Sequence, residues 1–130
     1  MLILTIRTDK PDAEIGLFED GTKLAYSTWA AHRQLAETIH LKIKEILEAQ
    51  SRSLADLEGI VVFKGPGSFT GLRIGMSVAN ALAYSLGIPL ASKTEDTWIA
   101  QGSEAIKQGT DERIAAPEYG ALPHITVPKK

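Results

Sequence analysis

Residues 64–75 read Lys-Gly-Pro-Gly-Ser-Phe-Thr-Gly-Leu-Arg-Ile-Gly, a concentration of groups able to meet a ligand or a partner. Glycines allow positive φ or a close backbone approach, and a helix starting behind them leaves N–H groups unpaired. Gly65, Pro66, Gly67, Ser68, Phe69, Thr70 and Gly71 therefore suit either a docked anion or chain, or a tight structural turn. The segment is not a P-loop, because no Gly-Lys-Ser/Thr follows at the required spacing, and it lacks the Gly-x-Gly-x-x-Gly register of dinucleotide folds. Arg73 is expected in the first turn of the following helix, where a cation opposes the macrodipole at a cost of about 0.3–1 kcal/mol. An anion beside it, or an ion pair with a residue such as Glu95 or Asp96, would offset that cost; the alternative is a solvated arginine. Phe69 at the loop tip is either a core plug or a binding anchor.

Little else in the chain offers chemistry. The three histidines, His32, His40 and His124, form no His-x-x-x-His pair. The lack of cysteine removes disulfides, thiolate nucleophiles and Cys-ligated zinc. At 130 residues, 44% hydrophobic and 23% charged, the chain can bury a core as one domain. A formal net charge of −2 gives no reason to expect direct contact with a phosphate backbone. Arg7, Asp9 and Lys10 interrupt the apolar start too soon for a signal peptide, and no run could span a bilayer. The expectation is a soluble, unexported, cytoplasmic protein without a cofactor.

Strands and helices alternate around the loop. Leu2–Ile6 reads as a first strand, closed by Pro11-Asp12. Ala13–Phe18 and Lys23–Trp29 flank Asp20-Gly21, which predicts an antiparallel hairpin. Leu35, Ile39, Ile43, Ile46 and Leu47 recur at helical spacing between His32 and Gln50. Gly59–Phe63 is a continuous apolar run suited to an inner strand, a second helix reaches about Leu86, and Ile88–Ala91 reads as a further strand. Thr94–Gln101 predicts a third helix capped by Thr94 with Glu95 and Asp96 in its first turn. Beyond Gly102 the pattern weakens to irregular chain with one short strand. The sum is an α/β arrangement.

The second helix is apolar nearly all round. Leu72, Met76, Ala83 and Leu86 lie on one side, with Ile74, Val78 and Ala81 on the other. One side should therefore meet the first helix or another chain, and Gly75, Ala79 and Ala83, four apart, would let a neighbouring helix approach closely.

The run Gly65 to Gly75 resembles the signature of the TsaB (YeaZ-like) family. The strand before it, the helix after it and His32 ahead of the first helix fall where that family's pattern puts them, and the resemblance covers residues 1–102. It implies a single lobe of the actin-like, sugar-kinase-like ATPase fold, with a mixed five-stranded sheet and two main helices. Residues 103–130 would be a short C-terminal extension in place of the usual second lobe, with Pro117–Gly120 and His124–Thr126 similar to family C-termini. It further implies a non-catalytic scaffold that activates a TsaD-like transferase acting on the tRNA adenosine beside the anticodon. A TsaE-like ATPase would join that complex, and tRNA would be met only indirectly. On this reading Leu35, Ile39, Arg73, Ile74, Met76, Val78, Ala79 and Ala83 form the partner interface, and the same surface would pair as a homodimer when alone. Arg73→Glu and Ala79→Trp are then expected to weaken the pair without unfolding the chain.

Arg7-Thr8 stands where the family typically has an aspartate-threonine pair, so a metal-phosphate role at that position is not expected. Two alternatives stay open: a self-assembling interaction module, and a small nucleotide-dependent phosphotransferase using the glycine loop with Lys64 and Arg73.

Overall fold

Alternation along the first strand sorts its side chains: Leu2, Leu4 and Ile6 join one hydrophobic cluster, and Ile3 joins another. The computed structural model describes residues 1–67 and 69–116, residue 69 by its backbone alone. Ser68, the Phe69 side chain and the tail motifs Pro117–Gly120 and His124–Thr126 lie outside the described residues; in the stretch beyond Gly102, where a short strand is expected, residues 103–116 are described and contain none.

The strands are β1 (Leu2–Arg7), β2 (Asp12–Glu19), β3 (Thr22–Ala30), β4 (Gly59–Phe63) and β5 (Leu90–Lys93), and the helices are α1 (Leu35–Ala49), α2 (Phe69–Leu86) and α3 (Trp98–Lys107). They form a five-stranded sheet in the order β3-β2-β1-β4-β5. β1, β2 and β3 pair antiparallel, while β4 runs parallel to β1 and β5. Asp20 and Gly21 both have positive φ, 49° and 85°, as a two-residue hairpin requires. The mixed sheet, the hairpin and the inner position of Gly59–Phe63 match the sequence reading.

α1 and α2 cover one face. Leu35, Ile39, Ile43, Ile46 and Leu47 of α1 are buried with Leu4, Ile6, Ile15, Leu17, Ile60 and Val62 of the sheet. Each such side chain contributes roughly 1.5–3 kcal/mol before chain entropy is subtracted. α3 covers the other face over β4 and β5, burying Trp98 and Ile106 with Ile3, Val61, Phe63 and Ala91.

The third helix differs from its prediction at both ends. It starts at Trp98 with Thr97 at the cap, no acidic residue occupies its first turn, and it continues to Lys107. Thr94–Asp96 are spent on the turn leading in, where Glu95 accepts from the Trp98 N–H. Gly102, which suggests a helix end in sequence, sits mid-helix because a side chain there would collide with Val61 of β4. The fifth strand likewise begins later than expected, at Leu90 rather than Ile88.

After α3 the chain turns back along the free edge of β5. The Glu112 N–H donates to the Leu90 carbonyl at 2.8 Å, and the Leu90 N–H donates to Asp111 at 3.1 Å. Ser92 donates through its N–H and its hydroxyl to the two Glu112 carboxylate oxygens at 2.7 and 2.6 Å. Asn80 of α2 then takes both backbone groups of Ala115, accepting from its N–H at 2.8 Å and donating to its carbonyl at 3.1 Å. Residues 111–115 are thus a strap that seals one sheet edge and ties it to α2. Among the described residues no helix is long and apolar enough to cross a membrane.

Candidate functional site

The glycine loop leaves β4 at Lys64, whose N–H donates to the Lys93 carbonyl at 2.9 Å, so the loop begins where parallel strands end. Its backbone is closely held by the end of β1. Gly65 adopts φ 111°, which favours glycine. A side chain at Gly67 would collide with Asp9, and one at Gly75 would collide with Thr8. The Thr8 hydroxyl donates to the Gly71 carbonyl at 2.7 Å. Two of the segment's glycines therefore let the loop and the start of α2 settle on residues 8 and 9, which favours the structural-turn reading of those positions.

Arg7 does not face the loop as a free cation. Its guanidinium bonds Asp9 at 2.8 Å and lies 3.9 Å over the Phe63 ring. The Asp9 hydrogen bond holds Arg7 protonated still more firmly than usual. The carboxylate at this strand end, Asp9, is turned to the arginine and is 8% exposed.

α2 offers a different surface from the one expected. It starts at Phe69, so Arg73 falls in the second turn and the macrodipole penalty largely lapses. Arg73 is exposed and, among the described residues, has no ion pair; Glu95 instead accepts from Gln101. Leu72, Met76, Ala79 and Ala83 are buried, as is Val78, with Ile74 and Leu82 half-buried. Gly75 gives a close approach to Thr8, just past the end of β1, and Ala79 and Ala83 are buried in the cluster that α2 shares with the sheet. Among the described side chains of α2 no bare apolar face is left: its outer strip includes Thr70, Arg73, Ser77, Ala81, Tyr84 and Ser85, all exposed.

Of the eight residues expected at an interface, Leu35, Ile39, Met76, Val78, Ala79 and Ala83 are thus core residues of this chain, and only Arg73 and Ile74 reach the surface. The helical stripe that looks like a docking face in sequence is consumed by the chain's own sheet. Ala79 is fully buried, so Ala79→Trp would overpack the core instead of probing a surface.

What the two helices do present is the seam between them. A groove of about 460 Å³ is lined by Ala36 and His40 of α1 and by Thr70, Arg73, Ile74, Ser77 and Val78 of α2. A second, of about 530 Å³, continues past His40 over Ile43, Leu47 and Leu82 to Leu54. His40 stands where the two meet. Ala36, Ser77 and Leu54 were absent from the sequence reading, and His40 was weighed there only as a metal ligand; its place between Ile39 and Ile43 on the amphipathic helix is the signal that could have set it at the edge of the buried stripe. A larger groove of about 570 Å³ lies elsewhere, between α3 and the hairpin turn, with Ile3, Phe18, Ile99 and Ala100 in its wall. Among the described residues no cluster of three histidine or acidic side chains is placed to hold a metal ion.

Residues 29–100 match the family model of TsaD, the tRNA N6-adenosine threonylcarbamoyltransferase. The chain is 33% identical over 116 residues to the tRNA threonylcarbamoyladenosine biosynthesis protein TsaB of Escherichia coli, covering 89% of this chain and 49% of that protein. It is 36% identical over 104 residues to the TsaB of Bacillus subtilis, covering 78% of this chain and 45% of that one. The solved structure of YeaZ from Pseudomonas aeruginosa superposes with a TM-score of 0.68 at 25% identity, over 83% of this chain and 50% of YeaZ. The chain spans about half the length of the curated TsaB relatives it matches. The likeness to YeaZ bears out the expected single lobe of the actin-like, sugar-kinase-like fold.

Proposed function

The chain belongs to the family of the tRNA N6-adenosine threonylcarbamoyltransferase TsaD, in which it is TsaB/YeaZ-like, and from that premise we propose that it serves threonylcarbamoyladenosine biosynthesis as a non-catalytic partner of a TsaD-like transferase. The observation that carries the reading is the α1–α2 seam. It is a groove with half-buried Ile74 in its wall and exposed Arg73 and His40 at its rim, set on two helices anchored by a fully formed core. Such a rigid, partly apolar groove suits a side-chain ridge from a partner helix packed across it.

The non-catalytic part of the reading is supported where the first turns of α2 meet the chain just after β1. Arg7 and Asp9 satisfy each other, Thr8 is committed to Gly71, and the loop glycines are used for packing. Holding the transferase in its active form is the role this leaves for the chain. A TsaE-like ATPase completes the complex in the cytoplasm, and the transferase holds the tRNA.

Co-expression with the TsaD homologue of the same genome, followed by size-exclusion chromatography with mass determination, tests the reading. A stable heteromer is expected. Separate elution of two folded proteins would reopen the interaction-module and phosphotransferase alternatives.

A further inference from the structure

Charge is not spread evenly along the α1–α2 seam. The 460 Å³ groove is lined by His40 of α1 and Arg73 of α2 and, among the described residues, by no acidic side chain. α2 itself contains no aspartate or glutamate. Both helices begin at this end, with Ala36 and Thr70 in their first turns, so their N-terminal dipoles add to the same sign. The other charged groups near His40 are few. On α1, Lys44 and Glu48 line the second groove, and Glu37 lines neither. Arg52, from the turn after α1, is already bonded to Glu19 at 2.8 Å. Among the described residues Arg73 has no ion pair, so this end of the seam is a cationic spot on a chain whose formal net charge is −2.

On the premise that a TsaD-like transferase docks at the seam, we propose that its docking helix places a carboxylate between His40 and Arg73, and that docking takes up a proton from solvent on the His40 imidazole. The second groove shows why the anion belongs to a protein helix and not to a nucleic-acid backbone. It continues past His40 over Ile43, Leu47 and Leu82. An apolar channel in line with a cationic one fits a helix whose apolar ridge ends in an acid one turn further on, whereas a phosphate chain would leave the apolar half unfilled. A carboxylate against an imidazole favours the protonated form, and histidine ordinarily changes charge between about pH 5 and 8. Affinity therefore rises as pH falls through that range, and levels off once His40 is protonated in the free chain as well.

Titration calorimetry with the TsaD homologue of the same genome, run from about pH 8 down to about pH 5.5, tests the proposal. Affinity of the parent chain should rise about three- to fivefold towards the acid end. His40→Gln should hold it flat at the lower value, and His40→Lys flat at the higher one. Arg73→Lys should keep most of the affinity that Arg73→Gln loses. Repeating the parent titration in buffers of different ionisation enthalpy reads the proton uptake directly, and the uptake should vanish in His40→Gln. A flat profile in the parent, or an equal slope in His40→Gln, would overturn the proposal while leaving the seam as the docking site. Displacement of the homologue by bulk tRNA, lost in Arg73→Gln, would assign the cations to a phosphate and overturn it too. Absence of binding at every pH would overturn the docking reading and the proposal together.

Discussion

The two faces of the sheet are covered on different plans. Under α1 and α2 lies one continuous cluster that runs from Leu2 through Ile39 to Leu90 and Ala115. On the other side α3 covers β4 and β5, and the rest of that face is closed by the strands' own side chains. Phe18 and Tyr26 pack edge to face at 6.4 Å and lean over Gly16 and the fully buried Thr5, while Arg7 lies on Phe63. The Thr5 hydroxyl has no partner among the described residues, a sign of a face sealed less completely than its opposite. Stability is thus concentrated under the two helices whose outer seam is proposed to dock, which gives that seam a stiff base.

Substitutions rank the two faces. Ile39→Ala empties a fully buried site in the larger cluster and is expected to cost about 2–5 kcal/mol, whereas Ile99→Ala, half-exposed on α3, should cost well under half as much; equal losses in denaturant melts would erase the contrast. Gly16→Ala tests the strand-built seal. Its new methyl would lie 2.7 Å from both the Thr5 hydroxyl and the Tyr26 ring, and an expected loss of about 1–3 kcal/mol should come with altered Tyr26 fluorescence. Arg73→Glu, on the surface of the stable side, should leave the unfolding midpoint within about 0.5 kcal/mol of the parent.

The smallest effect is a pH dependence that belongs to neither face. Arg52 holds the Glu19 carboxyl below its ordinary value, and the N-terminal ammonium does the same to Asp20. What these pairs contribute is present above the ordinary carboxylate range and disappears as pH falls through the lowered values. The Met1 amine is shifted the other way, raised above 8.0 chiefly by its hydrogen bond to Asp20, so its share is present below pH 8.0 and is lost as pH rises past the raised value. Asp20 and the Met1 amine are exposed and Glu19 is partly so, and the thermal midpoint should therefore change only slightly at either limit. Asp20→Asn should diminish the alkaline change, leaving the smaller share that Glu58 contributes at 3.7 Å.

Much of this was legible in the residues because its causes are local. Asp20-Gly21 fixes the hairpin through backbone preference, and the spacing from Leu35 to Leu47 fixes α1 through periodicity. The misreadings have tertiary causes. Gly102 looks like a helix end until Val61 is placed against it, and Leu35, Ile39 and Ala79 look like a docking stripe until the sheet beneath them is seen to use them. The strap could not be anticipated, because Asn80 finds Ala115 and Ser92 finds Glu112 only once the chain has turned back on β5. The Arg7–Asp9 pair was within reach only as opposite charges close in sequence, since Asp9 lies in the bend after β1.

The most direct test of the docking account compares the two faces in one binding experiment. Calorimetric titration of the TsaD homologue should give an affinity that falls at least tenfold with Arg73→Glu and Ile74→Glu combined, and one that is unchanged with Ile99→Lys on α3. Undiminished binding by the seam variant, or loss through the α3 variant alone, would contradict the claim that the α1–α2 seam is where this chain meets its partner.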